Sequence, residues 1–265
     1  MAIEVMKRAE KKYVINTDTY LKLLEIIKSC MELDPYNRGD EFYTISNIYF
    51  DTRDNNLIRT SISKPKYKEK LRMRAYGVPT EFDKVYLEVK KKYKGIVNKR
   101  RTAFKLAEAY EFSKTGTIAP QEYMNKQVLG ELEYFISLYQ PAPKVYLAYD
   151  RRAYIGEGGL RITFDNNIRT RRYDLRLENG DYGEGLIDDE LWVMEIKTPS
   201  AIPIWLSKAL SKHRVYCRGF SKYGTEYEKF IKTNMEGREE CSNQFSAAQA
   251  KLPYSPLKVC SSPLV

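Results

Sequence analysis

Charged and apolar residues alternate along many segments of this chain. In KLRMRAYG, residues 70–77, the first, third and fifth residues are cations, and the residues between them are apolar. Successive side chains of a β-strand point to opposite faces, so the segment predicts a strand with one charged and one apolar face. The same period of two recurs along most of the chain, which predicts a protein built mainly from strands.

The periodicity also predicts the order of the elements. The helical stripe of TYLKLLEIIKSC predicts a helix with Thr17 or Asp18 as its N-cap, and further helices are predicted over 106–115, 121–139, 203–212 and 225–235. GEGG, residues 156–159, is interpreted as a hairpin turn. The predicted strands are EVMKRAEKKYVI, EFYTISNIYFDT, YKEKLRMRAYG, DKVYLEVKKKY, GIVNKRRTAFKL, PKVYLAYDRRAYIG, LRITFDNNIRT and LWVMEIKT.

Composition narrows the class of partner and compartment. Lys and Arg total 45 against 35 Asp and Glu, a formal net charge of +10, which admits nucleic acid, an anionic membrane or a phosphate chain. The four cysteines form no CxxC pair, so neither a zinc cluster nor a disulfide framework is indicated, and a reducing cytoplasm is expected. We find no signal peptide and no stretch that approaches the ~20 apolar residues of a spanning helix.

In several predicted strands the charged residues occupy every second position. They therefore share one face of the strand, which we call one parity. One interpretation is an ordinary half-exposed sheet with a solvated polar face. The other is a closed barrel whose apolar parity packs against helices and whose charged parity lines the bore. A basic bore requires an anion, and alternating Arg and Lys suit a triphosphate or a phosphate chain. The same-parity pairs are Arg72 with Arg74, Glu88 with Lys90, Lys99 with Arg101, Arg161 with Asp165, and Glu195 with Lys197.

An ordered set of motifs resembles the VTC-type polyphosphate polymerase domain, a triphosphate tunnel metalloenzyme related to CYTH phosphatases. The resemblance covers residues 3 to 232 and implies an α+β fold, an antiparallel β-barrel tunnel with helices packed outside. We therefore expect a tunnel domain over 1–236 and a flexible C-terminal tail over 237–265. The motifs are RAEKKYVI, SNIYFDT, KLRMRAYG, VYLEVKKK, VNKRR, YDRRAY, LRITFDNNIRT, WVMEIKT and FSKYGTEY.

The resemblance also implies roles for individual residues. Glu195 is similar to the family's metal ligand, with Glu10 and Glu88 as helpers. Each of these three acids precedes a lysine by two positions, so both side chains share a face and can serve one phosphate. A same-face salt bridge explains the spacing equally for Glu10 and Glu88, whereas the metal site is favoured for Glu195. The phosphate-binding cations implied are Lys12, Arg72, Arg74, Lys90, Lys99, Arg152, Arg161 and Lys222, with Lys70, Arg101, Lys105 and Lys197 as further candidates.

Three functions agree with this sequence. The first is a polymerase that moves the γ-phosphate of ATP onto inorganic polyphosphate, with pyrophosphate or phosphate as a primer. The second is a triphosphatase or polyphosphatase, and the third is a non-catalytic module that binds polyphosphate or an inositol pyrophosphate. We expect a divalent metal, Mn²⁺ in preference to Mg²⁺, and no nucleic-acid partner because the cations alternate on strands. The sequence leaves open whether a membrane partner takes up the product.

Overall fold

The structure is a computed structural model that describes residues 9–37, 41–94 and 96–249, with side chains as far as 235. The chain divides into two compact units, Met1–Glu226 and Tyr227–Val265. The first unit contains every strand described below. The flexible tail predicted over 237–265 lies partly outside the described residues, and the domain boundary at 236 stays a prediction.

A ten-stranded antiparallel sheet forms the first unit, within the described residues. Its main path runs β1-β10-β8-β7-β3-β4-β5-β6, while β2 pairs with β7 and β9 pairs with β8. The strands are β1 Ala9–Asn16, β2 Glu32–Leu33, β3 Tyr43–Asp51, β4 Tyr67–Tyr76, β5 Lys84–Tyr93, β6 Ile96–Lys105, β7 Ala142–Ile155, β8 Arg161–Arg171, β9 Glu184–Gly185 and β10 Leu191–Thr198.

The helices agree with the predicted positions except at their ends. The N-cap of α1 is Asn16, one residue before the prediction, because its side chain accepts a hydrogen bond from the Thr19 amide at 2.9 Å. The helix predicted from 121 begins five residues later, after the N-cap Asn125, and the helix predicted over 225–235 is longer at both ends. The helices are α1 Thr17–Cys30, α2 Asn56–Ile62, α3 Leu106–Thr115, α4 Lys126–Tyr139, α5 Ile204–Lys212 and α6 Lys222–Gln249.

The short helix α2 was not predicted from the sequence. Its second and third amides, those of Leu57 and Ile58, donate to the Asp51 carboxylate at 2.9 Å each. An acid at this position satisfies amides that have no partner within the helix and complements the positive end of its dipole. The cap lies at the end of β3, outside α2 itself, which explains why local sequence does not reveal the helix.

The apolar parity of the strands packs against the helices, as predicted. One core joins Met73 of β4 and Leu87 of β5 to helices α3 and α4, and a second core joins Ile196 of β10 to α1 and α5. All three of these side chains are at most 1% exposed. The charged parity of the same strands therefore faces away from both helical layers.

The sheet curls around its charged face. In the strand order, β1 and β5 are separated by six strand spacings, which would place them ~29 Å apart in a flat sheet. Glu10 Oε2 of β1 nevertheless lies 3.8 Å from Lys90 Nζ of β5. The charged parity consequently lines an interior channel, which we call the tunnel. Among the described residues no β1–β6 pairing closes the seam. No helix in the described part of the chain has the length and apolarity needed to span a bilayer.

Candidate functional site

Strands β4, β5 and β6 supply the densest part of the tunnel lining. Their antiparallel register aligns charged residues across three neighbouring strands, and directly paired residues share a face. Arg72, Glu88 and Arg101 form one cross-strand row, and Lys70, Lys90 and Lys99 form the next. The charged residues that alternate along each strand thus form two adjacent rows across β4, β5 and β6, which we call the two-row field.

Glu88 is the counter-ion at the centre of this field and is 1% exposed. Its carboxylate lies 2.6 Å from Arg72 Nη2, 2.8 Å from Lys99 Nζ, 3.7 Å from Arg101 Nη1 and 4.0 Å from Arg74 Nε. Burial alone would raise the pKa of Glu88, but Arg72, Arg74 and Lys99 outweigh it and hold that pKa well below its usual range. Cations from β4 and β6 therefore surround this carboxylate.

A polar layer from β3 and β7 fixes the two arginines of β4. Arg72 Nη1 donates to the Tyr49 hydroxyl at 3.2 Å. Arg74 donates from Nε to Asn47 Oδ1 at 2.9 Å and from Nη2 to the Tyr149 hydroxyl at 3.0 Å. Hydrogen bonds to charged groups are the stronger ones in proteins, so both guanidinium groups are held in position before any ligand binds.

Glu195 lies across the tunnel, on β10, between β1 and β8. Lys12 and Thr163 are its cross-strand partners, and Lys197 Nζ lies 2.9 Å from Glu195 Oε1. Burial would raise the pKa of Glu195, but Lys197, Lys12 and Arg151 hold it well below its usual range. Among the described residues, one cation is in direct contact with this carboxylate, against two within 3 Å of Glu88.

The structure places Arg151, not Arg152, on the tunnel face of β7. Arg151 donates to both oxygens of Asp165 at 2.6 and 2.8 Å. Arg152 lies on the opposite face, where its guanidinium stacks 4.2 Å from the Phe42 ring and donates to the Tyr20 hydroxyl at 3.1 Å. Arg152 is therefore removed from the set of tunnel cations, and Arg151 replaces it.

Two adjacent arginines in YDRRAY made this assignment ambiguous from sequence. Side-chain parity decides which one faces the tunnel, and a register shift between Ala148 and Asp150 alters the pairing just before them. The useful signal was the Tyr149-Arg151 spacing, because Tyr149 shares the tunnel-facing parity with Arg151.

The start of α6 adds a cation from outside the sheet. Lys222 Nζ donates to Asp165 Oδ2 at 2.5 Å and lies 4.3 Å from the Tyr149 ring centroid. The preceding residue, Ser221, accepts a hydrogen bond from Lys70 Nζ at 3.2 Å. Ser221 and Lys222, at the start of α6, therefore contact β4 and β8 on the tunnel side.

Two predicted cations lie at the margins of the site. Arg161 shares the tunnel face and donates to Asp34 Oδ2 at 2.9 and 2.7 Å. Lys105 is exposed at the end of β6, where its backbone amide donates to Glu108 of α3. It lies four residues, or ~13 Å along the strand, beyond Arg101. The structure does not bring Lys105 into the central cluster.

Crowding changes the protonation of the tunnel lysines. Burial and neighbouring cations lower the pKa of Lys70 to about 8 and that of Lys99 to about 7, although Glu88 partly offsets the shift for Lys99. Burial also lowers the pKa of Lys90. For Lys12, burial is outweighed by Glu195 and Glu10, which raise its pKa. Such crowding of cations is costly unless an anion occupies the space between them.

The tunnel face thus collects most of the residues predicted from the sequence. These are Glu10, Lys12, Lys70, Arg72, Arg74, Glu88, Lys90, Lys99, Arg101, Arg161, Glu195, Lys197 and, from α6, Lys222.

The acidic residues of the tunnel could hold a metal ion only if phosphate oxygens supplied its remaining ligands. Within the described ranges, no group of three or more His, Cys, Asp or Glu side chains is arranged to hold a metal. Hard divalent cations in phosphate enzymes are commonly bound by one or two carboxylates plus phosphate oxygens. Glu195 and Glu10, on neighbouring strands of the tunnel face, match that smaller set.

Comparison with known proteins gives the family. A solved putative adenylate cyclase from Bacillus halodurans has a TM-score of 0.50 and 16% identity, over 82% of this chain and 96% of that one. A putative adenylyl cyclase from Hippeastrum, described as having a dominant triphosphatase activity, has a TM-score of 0.52 and 16% identity, over 83% and 95%. No curated protein matches. These structures share the predicted α+β tunnel fold. The family model of the VTC domain matches residues 7–231, from the start of the sheet into α6, and the chain therefore belongs to the VTC domain family.

Proposed function

We propose that this domain is a polyphosphate polymerase that transfers the γ-phosphate of ATP onto a polyphosphate chain inside the tunnel and releases ADP. The observation that carries the proposal is the two-row field of cations on β4, β5 and β6, which faces Glu195 and Lys12 across the tunnel. A linear polyanion is the ligand whose shape and charge match a channel lined in this way.

The side chains stabilise charge rather than form covalent intermediates. Phosphoryl transfer passes through a loose transition state whose charge lies on the non-bridging oxygens, so positioned cations lower the barrier. Arg72 and Arg74 offer planar forks, each held by a tyrosine hydroxyl. In this proposal the two arginines bind the transferring phosphoryl group, and Lys90 and Lys99 bind the neighbouring phosphates. Lys222 and Arg151, now paired with Asp165, reach the chain from the other wall.

A divalent metal held by Glu195 and phosphate oxygens would supply Lewis-acid stabilisation of the transferring group. Glu195 is ionised at neutral pH because its pKa is depressed. Lys197 keeps its carboxylate in place, and Lys12 attracts it at longer range. We expect Mn²⁺ to support the reaction better than Mg²⁺.

The acceptor in a polymerase needs no general base. A terminal phosphate is already an oxyanion near neutral pH, so the nucleophile arrives deprotonated. This agrees with a chain that has one histidine, His213, which lies at the C-cap of α5 in the outer layer. The tunnel residues then have only to align donor and acceptor.

A triphosphatase is the second candidate. The Hippeastrum neighbour with the same fold is described as having a dominant triphosphatase activity. In that reaction water replaces the terminal phosphate as acceptor, and the same cations bind the triphosphate. The two functions differ in their products: long anionic chains with ADP in one, and free phosphate in the other.

The test incubates the purified full chain with ATP and either Mn²⁺ or Mg²⁺. Chains are resolved on a gel, and ADP and free phosphate are measured in parallel. Long chains with matching ADP support the polymerase, whereas free phosphate without chains supports the hydrolase. An Arg72→Ala/Arg74→Ala double variant should lose the product, and Arg59→Ala, an exposed cation of α2, should retain it. Full activity in the folded double variant would contradict both functions.

A further inference from the structure

One mouth of the tunnel is aromatic. Tyr43, Tyr76 and Tyr86 come from β3, β4 and β5, and each lies on the tunnel-facing parity of its strand. The ring centroids of Tyr43 and Tyr76 are 6.3 Å apart, and those of Tyr76 and Tyr86 are 6.2 Å apart. Tyr76 is 48% exposed, so its ring has an uncovered surface at the tunnel entrance.

Arginine side chains lie close to these rings. The Arg101 guanidinium lies 4.7 Å from the Tyr86 ring centroid, and Arg101 also interacts with the Tyr76 hydroxyl. Tyr43 lies within electrostatic range of Arg151 and Arg161. A flat aromatic surface edged by guanidinium groups is the type of platform on which nucleobases stack, by π-stacking and cation–π contact.

The distance between these aromatic rings and the phosphate-binding cations also suits a nucleotide. Tyr86 pairs directly with Arg74, one strand repeat, about 6.8 Å, beyond the Glu88 row, and Tyr76 lies one further repeat beyond Arg74. A ribose occupies this interval in a nucleotide whose phosphates lie among the arginines.

We propose that Tyr43, Tyr76, Tyr86 and Arg101 form a nucleobase subsite that holds the base of the nucleoside triphosphate donor at this mouth. This inference rests on the proposed phosphate-binding function and adds the part of the donor that a phosphate tunnel alone would not recognise. Stacking tolerates any base but favours the larger ring system, so purine nucleotides bind more tightly than pyrimidine nucleotides.

A cavity elsewhere in the fold does not suit the base. It has a volume of about 390 Å³ and is lined by Phe42 and Trp192 together with acidic and amide side chains. Asp150 and Phe42 lie next to Arg152, on the face of β7 that points away from the tunnel. A nucleotide with its phosphates in the tunnel cannot reach this cavity, which makes Phe42 a suitable control.

The experiment measures binding of ATP, CTP and tripolyphosphate to the full chain by calorimetry, without divalent metal. Tyr76→Ala should lower ATP affinity about fivefold or more, remove the preference for ATP over CTP, and leave tripolyphosphate affinity unchanged. Tyr76→Phe should keep ATP affinity because it keeps the ring. Phe42→Ala, an aromatic change of similar exposure and adjacent to Tyr43 in sequence, should alter none of the three affinities.

The outcomes separate this inference from the proposed function. If the wild-type chain binds neither ATP nor tripolyphosphate, the phosphate tunnel fails and the base subsite fails with it. If both ligands bind and Tyr76→Ala leaves ATP affinity intact, the base subsite alone is wrong. An equal loss of ATP and tripolyphosphate affinity in Tyr76→Ala would also overturn it, since that result would show a general effect on phosphate binding.

Discussion

Glu88 and Glu195 lie in similar sequences, VYLEVKK and WVMEIKT, yet their surroundings in the folded chain differ. Neighbouring strands bring four cations within 4.0 Å of Glu88, two of them within 3 Å. Within the part of the chain that the structure describes, Glu195 has one contacting cation, Lys197, and Lys12 and Arg151 act at longer range. The same local motif thus produces a saturated ion-pair centre in β5 and a less crowded carboxylate in β10.

This difference shows that the ion-pair partners of an acidic residue in a strand are set by the residues paired with it on the neighbouring strands. β5 lies between β4 and β6, and both contribute arginine or lysine at the Glu88 row. β10 lies between β1 and β8, which place Lys12 and the neutral Thr163 opposite Glu195. We therefore propose that Glu88 holds together the cations of β4, β5 and β6, which we call the cationic wall, and that Glu195 holds the metal.

The largest effect is expected for Glu88→Gln, measured as stability. Removing one partner of a buried ion pair leaves uncompensated charge, and the free energy of unfolding should fall by about 3 kcal/mol in chemical denaturation. This is the lower end of the usual range because Arg72, Lys99 and Arg101 are partly exposed. Tripolyphosphate should raise the melting temperature of this variant more than that of the wild type, since phosphate replaces the lost anion. An unchanged stability would show that Glu88 does not hold this cluster.

The next effect is expected for Glu195→Gln, measured as turnover. Metal-dependent product formation should fall at least about 100-fold, because the amide keeps the shape but loses the charge that a hard cation requires. Metal-free binding of ATP should be unchanged or tighter, and stability should fall less than in Glu88→Gln.

Glu10→Gln is the matched control for Glu195→Gln. Glu10 lies on the adjacent strand, has a side chain that is 26% exposed, and contacts Lys12 and Lys90. Its loss should reduce turnover less than the loss of Glu195. Equal reductions would mean that the two acids share the metal, and normal turnover in Glu195→Gln would remove that residue from the site.

The sequence was sufficient to predict the sheet and its two faces. Alternation in segments such as 70–77 is a local property, and the apolar residues Met73 and Leu87 are buried under the helices as expected. The ends of helices were less predictable because their caps depend on single side chains. Asn16 rather than Thr17 caps α1, and Asp51 caps α2 from the preceding strand.

The site was predictable only where parity was unambiguous. Arg72 and Arg74 have apolar neighbours, so their face could be assigned from sequence. Arg151 and Arg152 are adjacent cations that follow a register shift, so sequence could not decide between them. The tyrosines and Asn47 that fix the arginines were missed, because they come from other strands and carry no charge pattern.

Arg151 and Arg152 extend the comparison to two neighbouring residues. Arg151→Ala should lower tripolyphosphate affinity about tenfold or more, since a charged hydrogen bond contributes about 1.5–3 kcal/mol. Arg152→Ala should leave that affinity unchanged, because the side chain packs on Phe42 outside the tunnel. The affinities are compared by calorimetry after circular dichroism has confirmed that both variants are folded. The reverse order of effects would restore Arg152 to the site.

The smallest expected effect is a pH dependence of phosphate binding that arises from Lys70 and Lys99 of the cationic wall. Lys70 and Lys99 have pKa values lowered to about 8 and about 7, first by burial and then by neighbouring cations. An anion stabilises the protonated lysine and so raises its pKa in the complex. Below about pH 6, one unit under the lower of the two values, both lysines are protonated with or without ligand, so their contribution to affinity is complete there. As the pH rises through these values, binding must take up protons, and the contribution declines.

The measurement compares tripolyphosphate affinity from about pH 6 to about pH 9 in the wild type and in a Lys70→Arg/Lys99→Arg variant. Arginine stays charged throughout this range, so the ratio of wild-type to variant affinity should fall by up to about tenfold per pH unit for each lysine that titrates. Titration of the ligand itself is common to both proteins and cancels in the ratio. Lys70 should account for most of the change, because the Lys99 side chain is 38% exposed and solvent screens its charge. Parallel pH profiles would show that neither lysine changes its protonation when phosphate binds.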